Sequence, residues 1–228
     1  MIDKTMPSAA AAIADIPDGA SIMIGGFGTA GMPVELIEAL IARGVGNLTI
    51  INNNAGNGEA GVAALLREGR VAKMICSFPR QSDSHHFDAR YRAGEVELEL
   101  VPQGNLAVRI QAAGAGLGAI FTPTGFGTLL AKGKETRCID GKDYVLEYPL
   151  AADYALIKAH KADRWGNLIY RKTARNFGPI MAMAARTAIV QVAEVVPLGA
   201  LDPETIVTPG IFVQRVVAID PAARARTA

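Results

Sequence analysis

The chain has 228 residues, of which 50% are apolar and 20% are charged, and its formal net charge is +1. This balance excludes the basic field that would hold nucleic acid, and no run of about eighteen apolar residues is present to cross a membrane. We therefore expect a cytoplasmic globular protein, with a single domain over residues 1–220 and a disordered tail over residues 221–228.

Strand-like and helix-like patterns alternate through the first half of the chain. Short runs rich in β-branched residues, typical of strands, occupy residues 20–26, 47–53, 71–77, 96–101 and 118–123. Apolar residues at helical spacing fill the intervals, at residues 33–44, 61–70, 88–94 and 105–114. Glycines such as Gly44 and Gly114 close these segments and predict helix C-caps. The alternation indicates βαβ units, and hence an α/β fold with a mixed, mostly parallel sheet flanked by helices on both faces.

The pattern changes after residue 125. Residues 133–150, 153–163 and 167–176 have the composition of short strands joined by charged turns, which favours antiparallel pairing. Residues 187–196 and 211–219 again have the apolar, β-branched composition of sheet strands. We therefore predict a β-rich part in the second half of the same domain.

A glycine-rich segment follows the first predicted strand and consists of Gly25, Gly26, Phe27, Gly28, Thr29, Ala30 and Gly31. Residues 26–31 fit the G-x-G-x-x-G pattern of dinucleotide-binding turns, which also need a helix starting within the motif and an acidic residue about 20 positions later. Here the helix begins near Pro33 and the next strand runs into asparagines, so an NAD site is disfavoured. Two interpretations stay open. The turn lets strand and helix pack closely, or its backbone N–H groups face an anion, an oxyanion or a phosphate.

Gln103 directly follows another strand-like run and precedes a glycine. Open α/β proteins place their sites at the carboxyl ends of parallel strands, so this side chain either donates its amide into a pocket or caps a turn. Asn52, Asn53 and Asn54 also lie at a strand end, where the default role of asparagine is to hydrogen-bond an irregular loop.

The segment that begins at Gly127 has some features of a phosphate loop. It has five residues rather than four before Gly133, and Glu135 stands where Ser or Thr must ligate Mg²⁺. We therefore interpret the basic residues of this segment as a solvated charged loop. They are Lys132, Lys134 and Arg137.

Other reactive side chains form no recognisable catalytic set. Asp83, His85, His86 and Asp88 lie close together in the sequence. Adjacent histidines in a helix or strand point in different directions, so we expect no metal site there. Cys76 and Cys138 lie outside any C-x-x-C pair, which disfavours a disulfide scaffold and predicts buried or half-buried thiols. Because no nucleophile elbow or catalytic triad is present either, the sequence indicates a binding half without a reactive group of its own.

A wider frame around the glycine segment resembles the signature of the first of the two subunits, the A-type subunit, of class I CoA-transferases. That frame comprises Asp18-Gly19, Gly25-Gly26-Phe27, Gly31 and Pro33. The resemblance extends to residues 51–59, 76–84, 100–107, 122–137, 155–185 and 208–217, and so covers nearly the whole chain.

The resemblance implies a two-subunit enzyme that moves CoA from succinyl-CoA onto a 3-oxo acid, with no permanently bound cofactor. Within the family the sequence is most similar to A-type subunits that act on 3-oxoadipate, in the breakdown of aromatic acids. Acetate/acetoacetate and succinyl-CoA:3-oxoacid transferases are the alternatives. In the family the nucleophile is a glutamate in a Ser-Glu-Asn-Gly segment of a homologous B-type subunit, and this chain has no such segment. We expect a heterodimer or a dimer of heterodimers.

The resemblance also implies roles for residues of this chain. Gln103 is similar in position to the family glutamine that donates its amide to the oxyanion of each tetrahedral step. Gly25 to Gly31 is similar to the turn that contacts CoA, with Phe27 shaping its wall. An NAD-dependent oxidoreductase and a non-catalytic acyl-CoA or sugar-phosphate binding module are the alternatives from other classes.

Overall fold

The computed structural model describes residues 2–219, so the tail predicted at 221–228 lies outside the described residues. The strands are β1 (Ser21–Ile24), β2 (Leu48–Ile51), β3 (Val71–Cys76), β4 (Glu97–Leu100), β5 (Ile120–Thr122), β6 (Thr136–Ile139), β7 (Lys142–Glu147), β8 (Ala152–Lys158), β9 (Lys161–Asp163), β10 (Leu168–Ile169), β11 (Ala185–Val192), β12 (Glu194–Val196) and β13 (Arg215–Ala218). The helices are α1 (Ala9–Ala12), α2 (Val34–Arg43), α3 (Val62–Arg67), α4 (His85–Arg92), α5 (Gln103–Gly114) and α6 (Gly178–Ala184). Short 3-10 turns cover Leu129–Ala131, Lys172–Arg175, Pro203–Thr205 and Gly210–Phe212.

Seven strands form the central sheet, in the order β13-β11-β8-β1-β2-β3-β4, and every pairing in it is parallel. The chain leaves β1 in one direction for β2, β3 and β4, and later fills the other side with β8, β11 and β13. The direction therefore reverses between β1 and β8. In open α/β sheets the crevice at such a reversal, beyond the carboxyl ends of the strands, is the usual ligand site.

The prediction of a mostly parallel sheet is confirmed, with the antiparallel pairs confined to two small sheets. One has the order β5-β7-β6 and is antiparallel throughout, and the other has the order β10-β9-β12 with an antiparallel β9–β10 pair. The antiparallel prediction for residues 133–150 is therefore right in β6 and β7. Residues 211 and 212 form a 3-10 turn rather than the predicted strand.

The antiparallel prediction for residues 153–163 is wrong for β8. This strand lies in the middle of the central sheet, parallel to both β1 and β11. Its centre, Ala155, Leu156 and Ile157, is completely buried, as a strand covered on both faces must be. The charges of Asp153 and Lys158 at its ends gave the segment the pattern of a short surface strand.

Two hydrophobic cores cover the two faces of the central sheet, which confirms the prediction of helices on both faces. Ile22 and Ile24 of β1 pack into one core with side chains of α1 to α4, and Met23 packs into the other with side chains of α5 and α6. This alternation follows from the two-residue period of a strand. Each such buried side chain contributes about 1.5–3 kcal/mol, so the carboxyl end of β1 is held firmly from both sides.

The helix ends agree only in part with the glycine pattern. Gly44 ends α2 in the left-handed conformation, as predicted. Gly114 is not a C-cap, because α5 includes it and the left-handed residue is Gly116. A Cβ at Gly114 would lie 2.6 Å from the Cβ of Met183, so this glycine serves the close packing of α5 against α6.

Residues distant in sequence fix the start of α2. Pro33 stands at its N-cap and provides no side-chain hydrogen bond. Instead the buried Gln191 of β11 accepts a hydrogen bond from the Leu36 backbone N–H, while its amide contacts Glu35. Within residues 2–219, no helix has both the length and the apolar character needed to cross a bilayer.

Asp153→Ala is expected to lower the free energy of unfolding by about 1 kcal/mol at pH 7. One carboxylate oxygen of Asp153 accepts hydrogen bonds from the Ser21 backbone N–H (3.0 Å) and hydroxyl (2.6 Å), which join the starts of β8 and β1. These bonds hold the pKa of Asp153 below its usual value of 3.8. The stabilisation is therefore complete above that usual value and is lost as the pH falls through the lower folded pKa.

Urea unfolding between pH 7 and pH 3 measures this dependence. Asp143→Ala is the matched control, because Asp143 is exposed on β7 and its side chain forms no ion pair among residues 2–219. If Asp153→Ala lowered the free energy of unfolding by the same amount at every pH, the prediction would be wrong.

Candidate active site

The glycine segment forms a tight turn at the carboxyl end of β1, at the reversal of the sheet. Gly25 donates its N–H to the Leu156 carbonyl of β8 at 2.9 Å, which ties the turn to the sheet. Phe27 and Ala30 exchange two backbone hydrogen bonds, of 3.0 and 3.2 Å, around a reversal at Gly28 and Thr29. The N–H groups of Phe27 and Ala30 are thus used within the turn. The turn therefore offers fewer bare N–H groups to an anion than the sequence pattern indicates, and it presents the 53% exposed ring of Phe27.

Asn176 clamps this turn from the opposite side, and sequence reasoning missed it. Its side-chain oxygen accepts from the Gly26 N–H at 3.1 Å, and its amide nitrogen donates to the carbonyls of Ala30 (2.9 Å) and Thr173 (3.0 Å). The Asn176 backbone has a φ of +20°, a region that asparagine enters more readily than other residues with a side chain. The available signal was its place in the family-like segment 155–185, at the end of the strand-like segment predicted over residues 167–176.

Two glycines of the turn serve different purposes. A Cβ at Gly31 would lie 2.5 Å from the Ala174 carbonyl oxygen and 2.9 Å from the Asn176 amide nitrogen, so no side chain fits there. A Cβ at Gly28 would meet no atom within 4 Å, so that position requires glycine only for its φ of +60°. Close packing around Gly31 and the positive φ of Gly28 therefore account for these two glycines of the G-x-G-x-x-G pattern.

Gln103 lies at the first position of α5, and its side chain does not cap that helix. Its amide nitrogen donates to the side-chain oxygen of Asn53 at 2.8 Å, and the same oxygen accepts from the Ser77 hydroxyl at 2.9 Å. In this arrangement the amide nitrogen of Gln103 is the donor and the Asn53 side chain is the acceptor. The side chain also lines a cleft of about 270 Å³ together with Phe27, Gly104, Ala107, Asn176, Phe177 and Ile180. Gln103 therefore borders a pocket while its amide holds Asn53, and its role in the reaction stays a prediction.

The three asparagines after β2 are all buried, and two of them act as predicted. The Asn52 amide donates to the Ile24 carbonyl at 2.6 Å, and the Asn54 side chain accepts from the Gly56 N–H at 2.9 Å. Both bonds shape the irregular loop. Asn53 does more, because it connects this loop to Gln103.

A second part of the cleft continues past Phe27 and Asn176. It has a volume of about 650 Å³ and is lined by Phe27, Ala30, Lys172, Thr173, Arg175 and Asn176. Because both parts share Phe27 and Asn176, we treat them as one groove, with Gln103 at one end and the cations Lys172 and Arg175 at the other. Its size is that of a small-molecule site.

The two adjacent histidines converge, contrary to the sequence argument. At the start of α4, the Nε2 atoms of His85 and His86 each lie 3.0 Å from an oxygen of Glu59, and their ring centroids are 4.1 Å apart. Contacts from His86 first, and then from Arg67, lower the pKa of Glu59 to about 2. The ligating atoms of Glu59, His85 and His86 are close enough to share a metal ion. Arg67 also lies 3.0 Å from Glu59, so its guanidinium would compete with such an ion for the carboxylate. The absence of a metal site stays a prediction.

The basic loop after Gly127 has structural partners. Lys134 lies 2.6 Å from the buried carboxylate of Glu147, and Arg137 lies 2.9 Å from Glu135. Lys132 is exposed. The loop is thus charged and exposed, as predicted, and among the residues that the structure describes only Lys134 of its three basic residues pairs with a buried carboxylate.

Neither cysteine lies in the groove. Cys76 is buried, and burial raises its pKa to about 12, so its thiol stays protonated at neutral pH. Cys138 is exposed on β6, which corrects the prediction of a buried or half-buried thiol. All four residues of β6, the edge strand of its small sheet, are exposed.

Comparison with known proteins gives the family of this chain. The family model for coenzyme A transferase matches residues 6–218. The chain is 72% identical over 223 residues to the A-type subunit of the 3-oxoadipate CoA-transferase of Pseudomonas putida, and the match covers 98% of this chain and 96% of that one. It is 51% identical over 215 residues to the A-type subunit of the succinyl-CoA:3-ketoacid coenzyme A transferase of Xanthomonas campestris pv. campestris (strain B100), covering 94% and 88% of the two chains.

A solved structure has the same fold. The apoenzyme of the acyl-CoA transferase YdiF from Escherichia coli O157:H7 matches with a TM-score of 0.82 at 23% identity, over 95% of this chain and 47% of that one. This chain therefore spans about half the length of that structure. On the family match and the near full-length similarity to its relatives, the chain belongs to the coenzyme A transferase family.

Proposed function

We propose that this chain is the A-type subunit of an enzyme that transfers CoA from succinyl-CoA to 3-oxoadipate. Support for the acceptor comes from the 72% identity to a relative named for 3-oxoadipate, against 51% for one named for 3-ketoacids in general. Transfer to 3-oxoadipate would place the enzyme in the breakdown of aromatic acids, in the cytoplasm.

One observation carries the proposal that a second subunit is needed. Among residues 2–219, the groove next to Gln103 is lined by no carboxylate and no thiol that could attack a thioester. Its wall includes the half-exposed ring of Phe27. A homologous B-type subunit that brings a glutamate to this face would supply the nucleophile and exclude water from the groove.

The proposed reaction is covalent and proceeds in two halves. The partner glutamate attacks the carbonyl carbon of succinyl-CoA, and CoA leaves as a thiolate, which gives a mixed anhydride. The thiolate then attacks the glutamyl carbonyl, which releases succinate and leaves a glutamyl-CoA thioester. The acceptor carboxylate repeats these steps in reverse. One thioester replaces another, so the transfer needs no ATP.

In this scheme the chain contributes electrostatic stabilisation and positioning. Each tetrahedral step develops an oxyanion, and a preorganised N–H donor aimed at it stabilises the transition state by about 3 kcal/mol. Gln103 fits this role, because one N–H of its amide is held by Asn53 and the other is left for the groove. The fixed orientation means that no reorganisation is needed during the reaction.

The test is reconstitution with the B-type subunit. We expect the purified chain alone to show no transfer of CoA from succinyl-CoA, and the coexpressed pair to show ping-pong kinetics with a larger kcat/KM for 3-oxoadipate than for acetoacetate. Full activity of the chain alone would contradict the need for a partner glutamate. Tight acyl-CoA binding by the chain, with no turnover after the partner is added, would instead support a binding module.

A further inference from the structure

We infer that Lys172 and Arg175 form a subsite for the distal carboxylate of a dicarboxylic acyl group, and that this subsite selects diacids over monoacids. The inference rests on the proposed function and adds the residues that determine its substrate class. Both side chains line the wider part of the groove, at the end away from Gln103.

The first argument is that these cations are available. Within residues 2–219 neither Lys172 nor Arg175 forms an ion pair, and no carboxylate lines their part of the groove. The polar cavity beside β7 offers the contrast. It has a volume of about 290 Å³, and its cations Arg109 and Lys134 both lie within 4 Å of Glu147. That cavity is neutralised internally, whereas the groove keeps two uncompensated positive charges.

The second argument is geometric. Lys172 and Arg175 are the first and last residues of one short 3-10 turn, and both line the same part of the groove. The two cations can therefore converge on one anion. Asn176, which directly follows, anchors the turn through its hydrogen bonds to Ala30 and Thr173.

Backbone strain supports the same conclusion. Lys172 has a φ of +51° and Asn176 a φ of +20°, both in the left-handed region that residues with a side chain rarely adopt. Such conformations persist only where the surrounding structure enforces them, and they concentrate at ligand sites. Here the enforced conformation places the two cations on the groove.

The chemistry of the groove defines the ligand. The apolar ring of Phe27 lines both the part with Gln103 and the part with the cations, and Ala30 lines the latter. A matching ligand has a reacting carbonyl at one end, a spacer of two to four carbons and an anion at the other end. The succinyl group and 3-oxoadipate both have this form, whereas acetoacetate has no second carboxylate. Charge-assisted hydrogen bonds to a carboxylate are strong enough to discriminate between the two classes.

The experiment uses the coexpressed pair and two acceptors of equal length, 3-oxoadipate and 3-oxohexanoate, which differ only in the distal carboxylate. Lys172→Met and Arg175→Met remove one charge each and keep most of the apolar stem. We expect the double variant to lower kcat/KM for 3-oxoadipate about 10²-fold and to change that for 3-oxohexanoate by less than about threefold. The exchange variant Lys172→Arg with Arg175→Lys should recover much of the preference. Arg171→Met is the matched control, because Arg171 is exposed beside the turn but does not line the groove.

The CoA phosphates are the other anions that two cations could hold, and a donor comparison separates them. If the cations bind phosphate, the double variant will lower kcat/KM by the same factor with succinyl-CoA and with acetoacetyl-CoA as donor. That result would overturn the inference. An unchanged preference for 3-oxoadipate would overturn it as well. Failure of the proposed function has a different signature, because the unaltered pair would then transfer no CoA to 3-oxoadipate.

Discussion

Gln103→Ala in the assembled enzyme is expected to lower kcat about 10²-fold, which is the typical effect of removing one oxyanion donor. The structure gives the reason for a large effect. Asn53 holds the amide at 2.8 Å and is itself held by Ser77, so the donor is positioned before substrate arrives. Alanine leaves the oxyanion without this donor, and the short side chain cannot recruit Asn53 in its place.

Steady-state kinetics of the coexpressed pair measures this effect, with size-exclusion chromatography to show that assembly is retained. KM for succinyl-CoA should change much less than kcat, because the interaction forms mainly in the transition state. Gln111→Ala is the matched control, since Gln111 is an exposed glutamine on the same helix. An unchanged kcat in Gln103→Ala would show that the role of Gln103 is structural only.

Gly31→Ala is expected to lower the free energy of unfolding by about 2–4 kcal/mol and to abolish most of the activity. The added Cβ would lie 2.5 Å from the Ala174 carbonyl and 2.9 Å from the Asn176 amide, and the φ of +79° is unfavourable for alanine. The structure can relieve this overlap only by moving the glycine turn away from the segment at 172–176. That movement breaks the Asn176 clamp and displaces both Phe27 and the two cations.

Gly28→Ala provides the comparison. Gly28 has a similar positive φ, +60°, but open space around its Cβ position, so only the backbone penalty of about 1–2 kcal/mol applies. A bulkier residue there, such as phenylalanine, tests whether this tip of the turn borders the path of CoA. Thermal and urea unfolding followed by circular dichroism distinguish loss of folding from loss of access. Equal stability of Gly31→Ala and Gly28→Ala would contradict the account of the clamp.

Much of the sheet was predictable because its signals are local. The strands β1 to β3 are short, mainly apolar runs, and β4 alternates glutamate and leucine. The helices between them have the three-to-four-residue spacing of an amphipathic face. The first half therefore predicts a parallel sheet without any tertiary information. The prediction for β8 fails because its buried centre is only three residues long and its ends are charged. Its neighbours in the sheet, β1 and β11, are distant in the sequence, and no local pattern contains them.

The candidate site was likewise predictable from the sequence only in part. Gln103 and the glycine turn stand directly after strands, and parallel strands place such residues at one edge of the sheet, so the sequence marked both as candidates. It could not show that Phe27, Gln103 and Asn176 share a groove, because α5 and the segment before α6 meet only after the chain folds. For the same reason it missed the convergence of His85 and His86 on Glu59.

By itself, the sequence determined the parallel α/β class, the glycine turn after β1, the candidate role of Gln103 and the resemblance to one subunit type of the CoA-transferases. Periodicity and motif spacing are properties of short segments, and they survive without a folded context. Only the tertiary structure decided that β8 completes the centre of the sheet, that Asn176 locks the turn, and that Lys172 and Arg175 face the same groove as Gln103. These depend on contacts between residues more than a hundred positions apart or on the handedness of single backbone angles, which composition and spacing do not encode.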